Sequence, residues 1–179
     1  DNIRFDNGRA VTSGSNAHSI ALNADLDHAG VGAGDGDRGG ITGDGTTNVE
    51  IITNRLQASA AETIDLDTTV DSFSASTSLD GDIIIRETDA VLIDLVETSS
   101  GNVDVTAAGQ ILALQISTGG GGDVSLNATV GGISFNLAGS VVAADNLLID
   151  ATSGDIFLGS GLALTGAADI RSLDGDVLI

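Results

Sequence analysis

The chain has 179 residues, of which 41% are hydrophobic, and a net charge of −20, because 26 acidic residues stand against six basic ones, all Arg. This length provides for one domain with a core, and the apolar fraction excludes a disordered acidic tail. The acidic charge argues against nucleic acid and anionic lipid as partners, since both require a basic surface. No apolar stretch is long enough for membrane insertion.

The N-terminal third contains two predicted strands, at 19–27 (SIALNADLD) and 48–59 (NVEIITNRLQAS), joined by an irregular Gly- and Asp-rich loop at 27–48. Flexible loops that are rich in carboxylates and punctuated by glycine suit Ca²⁺, so we predict a calcium site here. The candidate ligands are Asp25, Asp27, Asp35, Asp37 and Asp44. The alternative is a solvated surface loop without a metal.

The second half of the chain repeats one short phrase. It reads GDIII at 81, GNVDV at 101, GDVSL at 122, GDIFL at 154 and GDVLI at 175. A near-constant period of this size is typical of a solenoid, and coils of about 21 residues with three short strands predict an all-β parallel β-helix. Roughly eight such coils are expected. The interval from 122 to 154 is longer than the others and predicts an additional strand or a bulged loop.

Alternation within each phrase predicts which side chains form the core, because successive side chains of a strand point to opposite faces. Phe157 has outward parity and Phe135 inward parity. The scarcity of rings, with four Phe and no Tyr or Trp, indicates a narrow aliphatic core. The predicted inward residues are Val103, Val105, Val124, Leu126, Ile156, Leu158 and Val177.

The phrase itself has a physical interpretation. We expect its glycine to sit where the backbone approaches another part of the chain closely, and its Asp or Asn to bond local backbone groups at a corner. A phrase at the same corner of every coil would keep the stack in register.

Residues for catalysis are sparse. The two histidines, His18 and His28, lie near the irregular loop, and the Arg residues are scattered. Asp65 and Asp67 alternate with apolar residues and are expected to face solvent, while Arg86 and Glu87 are expected to form an exposed pair of little energetic weight. We therefore predict no catalytic residues, no cofactor-binding residues and no enzymatic activity.

Several stretches together are similar to the repeats of very large bacterial surface proteins: NADLDHAGVGAGDGD (23–37), ASAAETIDLDTTVDSFSAST (58–77), GDIIIRETDAVLIDL (81–95) and GNVDVTAAGQI (101–111). The resemblance is to filamentous haemagglutinin-like adhesins and covers roughly residues 19–179. It implies a right-handed parallel β-helix, secretion to the bacterial cell surface, and a role in adhesion or in an extracellular structure.

On this basis we expect residues 1–179 to form a single β-solenoid segment of a larger exported protein, serving as an adhesin shaft, sheath or filament subunit. The expected partners are other copies or flanking coils of the same protein, stacked end to end, and cell-surface glycans or proteins. The alternative is a carbohydrate-active β-helix enzyme or a polysaccharide-binding module, which the few basic and aromatic residues disfavour.

Overall fold

A computed structural model describes residues 2–6, 10–13, 18–24, 39–135, 141–159 and 161–179 of the chain. Every regular element in these ranges is a β-strand, and every recorded strand pairing is parallel. The chain is an all-β parallel β-solenoid with about 21 residues per turn, as predicted. No helix capable of crossing a membrane occurs within these ranges.

The strands are short, except where one strand continues around a corner of the solenoid. In chain order they are β1 (Ile3–Arg4), β2 (Val11–Thr12), β3 (Ser19–Ala24), β4 (Ile41–Thr42), β5 (Ile51–Ala60), β6 (Ile64–Thr77), β7 (Ile83–Glu87), β8 (Val91–Thr98), β9 (Val103–Ala107), β10 (Ile111–Ala113), β11 (Gln115–Thr118), β12 (Val124–Ala128), β13 (Ile133–Phe135), β14 (Val141–Ala144), β15 (Leu147–Ala151), β16 (Ile156–Leu158), β17 (Leu162–Leu164), β18 (Ala168–Ser172) and β19 (Val177–Leu178).

The strands stack in three ladders, one for each side of the solenoid. The first ladder runs β1, β4, the start of β6, β7, β9, β12, β15 and β18. The second ladder contains the start of β8, followed by β10, β13, β16 and β19. The third ladder contains β3 and the ends of β5, β6 and β8, followed by β11, β14 and β17. β2 pairs with the start of β5 at the corner between the first two ladders.

The register of the first ladder gives the length of each turn. The aligned residues are Ile3, Ile41, Ile64, Ile83, Val103, Val124, Leu147 and Ala168. The steps from Ile41 to Ala168 are nearly equal and make six regular turns. The step from Ile3 to Ile41 is nearly twice as long and includes residues 25–38, which lie outside the described ranges. Six regular turns and one long turn replace the roughly eight equal coils that we predicted.

The predicted core is confirmed along most of the stack. Val103, Val105, Val124, Leu126, Ile156, Leu158 and the ring of Phe135 are all buried. Phe157 is exposed, as its parity predicted. Val177 is aligned with the buried Ile156 of the preceding coil but is 41% exposed. It lies in the last described coil, so the stack covers it on one side only.

The phrase glycines stand where the backbones of successive coils come closest. A Cβ at Gly101 would lie 2.0 Å from the carbonyl oxygen of Gly81, and a Cβ at Gly122 would lie 2.1 Å from that of Gly101. Both distances are far inside van der Waals contact. The expected close approach is therefore confirmed, and it is made by one coil upon the next.

The Asp and Asn residues of the phrase bond a different partner from the one that we predicted. Asp82 Oδ1 accepts from the backbone N–H of Asn102 at 2.7 Å, and Asn102 Oδ1 accepts from that of Asp123 at 2.9 Å. The series continues through two further coils. Asp123 Oδ1 accepts from the backbone N–H of Asn146 at 3.0 Å, and Asn146 Oδ1 accepts from that of Ala167 at 2.9 Å. The prediction of local corner bonds was wrong, because each side chain reaches across to the following coil and satisfies a corner N–H there.

The long interval between the third and fourth phrases has a simple explanation. Gly81, Gly101 and Gly122 precede strands of the first ladder, whereas Gly154 and Gly175 precede β16 and β19 of the second. The phrase therefore moves to the next corner, so the prediction of one common corner was wrong. Because of this move, the interval from Gly122 to Gly154 contains four described strands, β12 to β15, whereas the interval from Gly101 to Gly122 contains three, β9 to β11. The additional strand that we predicted is therefore present, and the turn from β12 to β15 itself has a regular length.

Candidate functional site

Four of the five predicted calcium ligands, Asp25, Asp27, Asp35 and Asp37, lie outside the described residues, as does His28. Asp44 is described, and its carboxylate accepts hydrogen bonds from the backbone N–H and the hydroxyl of Thr46, two residues further on. Within the described ranges no group of three or more His or acidic residues is arranged to hold a metal ion. The calcium site stays a prediction.

A group of five charged side chains lies where the first ladder turns into the second. We call this group the acidic corner; its members are Glu50, Asp65, Asp67, Arg86 and Glu87. It links three successive coils, because Glu50 precedes β5, Asp65 and Asp67 belong to β6, and Arg86 and Glu87 end β7.

Glu87 is a buried acid whose two carboxylate oxygens both accept hydrogen bonds from the chain. It is 4% exposed, and its Oε2 accepts from the Thr68 hydroxyl at 2.7 Å and from the Val70 N–H at 3.1 Å. Its Oε1 accepts from the N–H of Thr88 at 2.9 Å. Burial, with a smaller contribution from the nearby negative charge of Asp89, raises the pKa of Glu87 to about 7 despite these hydrogen bonds.

Glu50 and Asp67 form the second part of the corner. Glu50 is 1% exposed, and its Oε2 accepts from the backbone N–H of Asp67 at 2.6 Å. Burial raises the pKa of Glu50, and the neighbouring carboxylate of Asp67 adds to the rise. The Oδ2 atom of Asp67 is buried and accepts no hydrogen bond from the described part of the chain. Protonation of Glu50 would relieve the repulsion between the two carboxylates.

Arg86 supplies the positive charge of the corner. Its Nε lies 2.9 Å from Asp67 Oδ1, and its guanidinium also pairs with Asp65. Two predictions were therefore wrong. Asp67 is 7% exposed rather than solvent-facing, and Glu87 is buried and bonded to Thr68 rather than exposed and paired with Arg86.

The alternation of side chains along the strands indicates that Glu87 is buried, and the sequence analysis missed this indication. Ile83, Ile85 and Glu87 share one parity, as do Ile64, Leu66 and Thr68 in the coil below, so Glu87 and Thr68 both point inward. Stacking places the acid beside the hydroxyl. Glu50 offers no such signal, because it follows an irregular segment whose register cannot be read from alternation.

The two glutamates of the acidic corner are closed to a substrate, whereas Asp65 and Arg86 are partly exposed. The carboxyl groups of Glu50 and Glu87 have almost no accessible surface, and their oxygens are occupied by donors of the chain itself. A general acid or base must come within hydrogen-bonding reach of the reacting group. These two acids are placed to bind neighbouring coils together, and their raised pKa values follow from burial.

The outer surface carries shallow grooves. One, of about 300 Å³, runs along the third ladder over the small side chains of Ala21, Ser74 and Ser76. Another, of about 410 Å³, lies on the first ladder beside Leu148, Asp169 and Arg171. Neither groove contains a described histidine or a buried acid. His18 contributes its backbone carbonyl elsewhere, where it accepts from the Thr53 hydroxyl at 2.8 Å.

Comparison with known proteins finds no matching family model, no matching curated protein and no matching solved structure.

Proposed function

We propose that this chain is a structural segment of an exported bacterial surface protein, serving as the shaft of an adhesin or as a sheath or filament subunit. The observation that carries the proposal is the continuity of the stack. One aligned column of residues runs from Ile3 in β1 to Ala168 in β18 through eight strands of the first ladder.

The side chains that link coils support a load-carrying role. The Asp and Asn series from Asp82 to Ala167 joins five successive coils at one corner, and each hydrogen bond crosses from one coil to the next. Thr77, Thr98 and Thr118 each donate to the carbonyl of the phrase glycine that follows, which fixes that corner within the coil. Interactions repeated along one axis suit a rod that resists extension.

The cell-surface location rests on the resemblance to haemagglutinin-like repeats and on the high negative charge, which keeps an extended rod soluble. The proposed partners are further copies or flanking coils of the same protein, together with surface glycans or proteins. Calcium bound by the loop at 27–48 would offset part of the charge.

Incubation with a panel of polysaccharides tests this proposal against the carbohydrate-active alternative. Reducing ends and solution viscosity are measured before and after incubation, and retention is measured on columns of the same polymers. We expect no depolymerisation by this chain. New reducing ends that appear with the chain and disappear after its thermal unfolding would overturn the structural proposal in favour of an enzyme.

A further inference from the structure

We propose that a second copy of this chain packs side by side against the outer face of the second ladder, with the two solenoids antiparallel about a two-fold axis. This inference rests on the proposed rod function and deepens it, because it names the partner, the face and the orientation of the contact.

The outer face of the second ladder carries a line of apolar side chains. Leu92, Leu112, Ser134 and Phe157 are aligned in successive coils. Each is the outward residue of its strand, because the residues on either side of it are buried. Phe157 is 40% exposed, and Leu92 and Leu112 are partly exposed. Apolar side chains that adjoin one another on a surface mark a contact site, whereas single scattered ones do not.

This face differs in charge from the rest of the solenoid. In the described strands of the second ladder no outward residue is charged. The chain carries −20, so two copies repel each other wherever carboxylates meet. The second-ladder face lets two copies approach without placing charged strand residues opposite one another. Charged outward residues of the other two ladders include Asp65, Arg86, Asp104, Asp150, Asp169 and Glu97.

The aligned residues form a sequence that is complementary to itself when reversed. Ser72 is aligned with Leu92, and Arg55 is aligned with Ser72, so the line extends two coils further. Coil spacings of about 4.8 Å make the whole line about 24 Å long. We call it the dimer line; its members in order are Arg55, Ser72, Leu92, Leu112, Ser134 and Phe157.

A two-fold axis that reverses the dimer line pairs each position with a suitable partner. The leucines at its centre meet leucines, and the serines meet serines. At the two ends Arg55 of each copy meets Phe157 of the other, and a guanidinium group over an aromatic ring is attracted to it. Arg55 also lies 2.9 Å from Asp94 of its own chain, so its charge does not stand alone. Such a contact uses the same patch on both copies, as a two-fold interface requires.

The parallel arrangement of the two copies is disfavoured by the same residues. A two-fold axis along the solenoid keeps the order of the coils, so Arg55 would face Arg55. It also exchanges the two flanks of the face, which brings Asp89 of one copy opposite Asp94 of the other, because these residues flank Leu92 on its two sides. Like charges in both places make this orientation less stable than the antiparallel one.

Sedimentation velocity of the wild type and of Leu112→Glu tests the face. The contact is narrow, so the concentration series extends to about 1 mM. The glutamate would face Leu92 of the partner, and we expect the association constant to fall by about tenfold or more. Leu148→Glu is the matched control, because Leu148 is an outward leucine of the first ladder and is 38% exposed. It makes the same change of charge and should not weaken association to the same degree. Circular dichroism melting checks that both variants are folded.

Cysteine cross-linking tests the orientation, since the chain has no cysteine of its own. Arg55→Cys and Phe157→Cys are treated with a short bismaleimide, singly and as an equimolar mixture, and are separated on a denaturing gel. Facing sheets lie about 10 Å apart, so the reagent joins residues that stand opposite one another. We expect covalent dimers in the mixture and very few in either variant alone.

Three results would overturn the inference. A wild type that stays monomeric over the whole series excludes a second copy as the partner of this face. Equal association of Leu112→Glu and Leu148→Glu places the contact elsewhere. Covalent dimers of each cysteine variant with itself show a parallel contact. None of these results concerns polysaccharide cleavage, which tests the rod function separately.

Discussion

Replacing Glu87 with Gln should remove the part of the pH dependence of folding that comes from this buried acid. Gln resembles the protonated acid, since its carbonyl oxygen still accepts from the Thr68 hydroxyl and the Val70 N–H. The bond from the Thr88 N–H at 2.9 Å is lost, which costs about 1 kcal/mol. The variant carries no charge at this buried position, so it avoids the desolvation that ionisation imposes on the wild type.

The direction and the size of this pH effect on the free energy of unfolding follow from the pKa of Glu87. Glu87 has a pKa of about 7 in the folded chain against an ordinary value of 4.5, so the folded state holds its proton more tightly. The resulting stability is fully present below pH 4.5 and is lost as the pH rises through 7. The full effect is about 3 kcal/mol, and roughly 2 kcal/mol of it falls between pH 7.5 and pH 5.0.

Urea unfolding followed by circular dichroism at these two pH values measures the effect. Acidification also relieves repulsion within a chain of charge −20, so the informative quantity is the difference between wild type and variant. Glu97→Gln is the matched control, because Glu97 is exposed and the substitution removes the same charge. We expect the wild type to gain about 2 kcal/mol more than Glu87→Gln on acidification, and the control to follow the wild type. Equal gains for all three proteins would refute the assignment of Glu87 as the buried proton-binding acid.

Three further predictions concern the stack and the loop. Gly101→Ala should destabilise the fold by at least about 2 kcal/mol, because the new Cβ would lie 2.0 Å from the Gly81 carbonyl oxygen. Urea unfolding measures the loss of stability against Ser100→Ala, an exposed control, and equal stability of the two variants would contradict the close approach. Leu126→Asp should collapse local stacking, since it buries an unpaired charge, and an ordered variant of wild-type stability by hydrogen exchange would be inconsistent with the register. If Asp25, Asp27, Asp35, Asp37 and Asp44 bind Ca²⁺, the melting temperature should fall on adding chelator, and an unchanged transition with no heat of binding would leave a solvated loop.

Much of the fold was predictable from local rules. The alternation in GNVDV and GDVSL identified Val103, Val105, Val124 and Leu126 as core, because a strand with one buried face must follow a period of two. The nearly equal spacing of the first three phrases identified the turn of the solenoid, because each turn repeats the same corner.

The missing parts depend on contacts between coils. Asn102 bonds the N–H of Asp123 in the next coil, and nothing within one phrase distinguishes that partner from a local one. The move of the phrase to a new corner at Gly154 requires the register of β13 and β16. The acidic corner was missed because a polar residue of inward parity, such as Glu87, is easily assigned to the surface until the stacked hydroxyl of Thr68 is known.

Immunogold electron microscopy of intact bacteria that make this chain tests the structural proposal most directly. Antibody raised against the folded chain is applied to intact and to permeabilised cells, and cells lacking the gene provide the background. The proposal predicts dense labelling of the exterior of intact cells, on fibres or a sheath, with no increase after permeabilisation. Labelling confined to the interior of permeabilised cells would contradict a role as a surface rod.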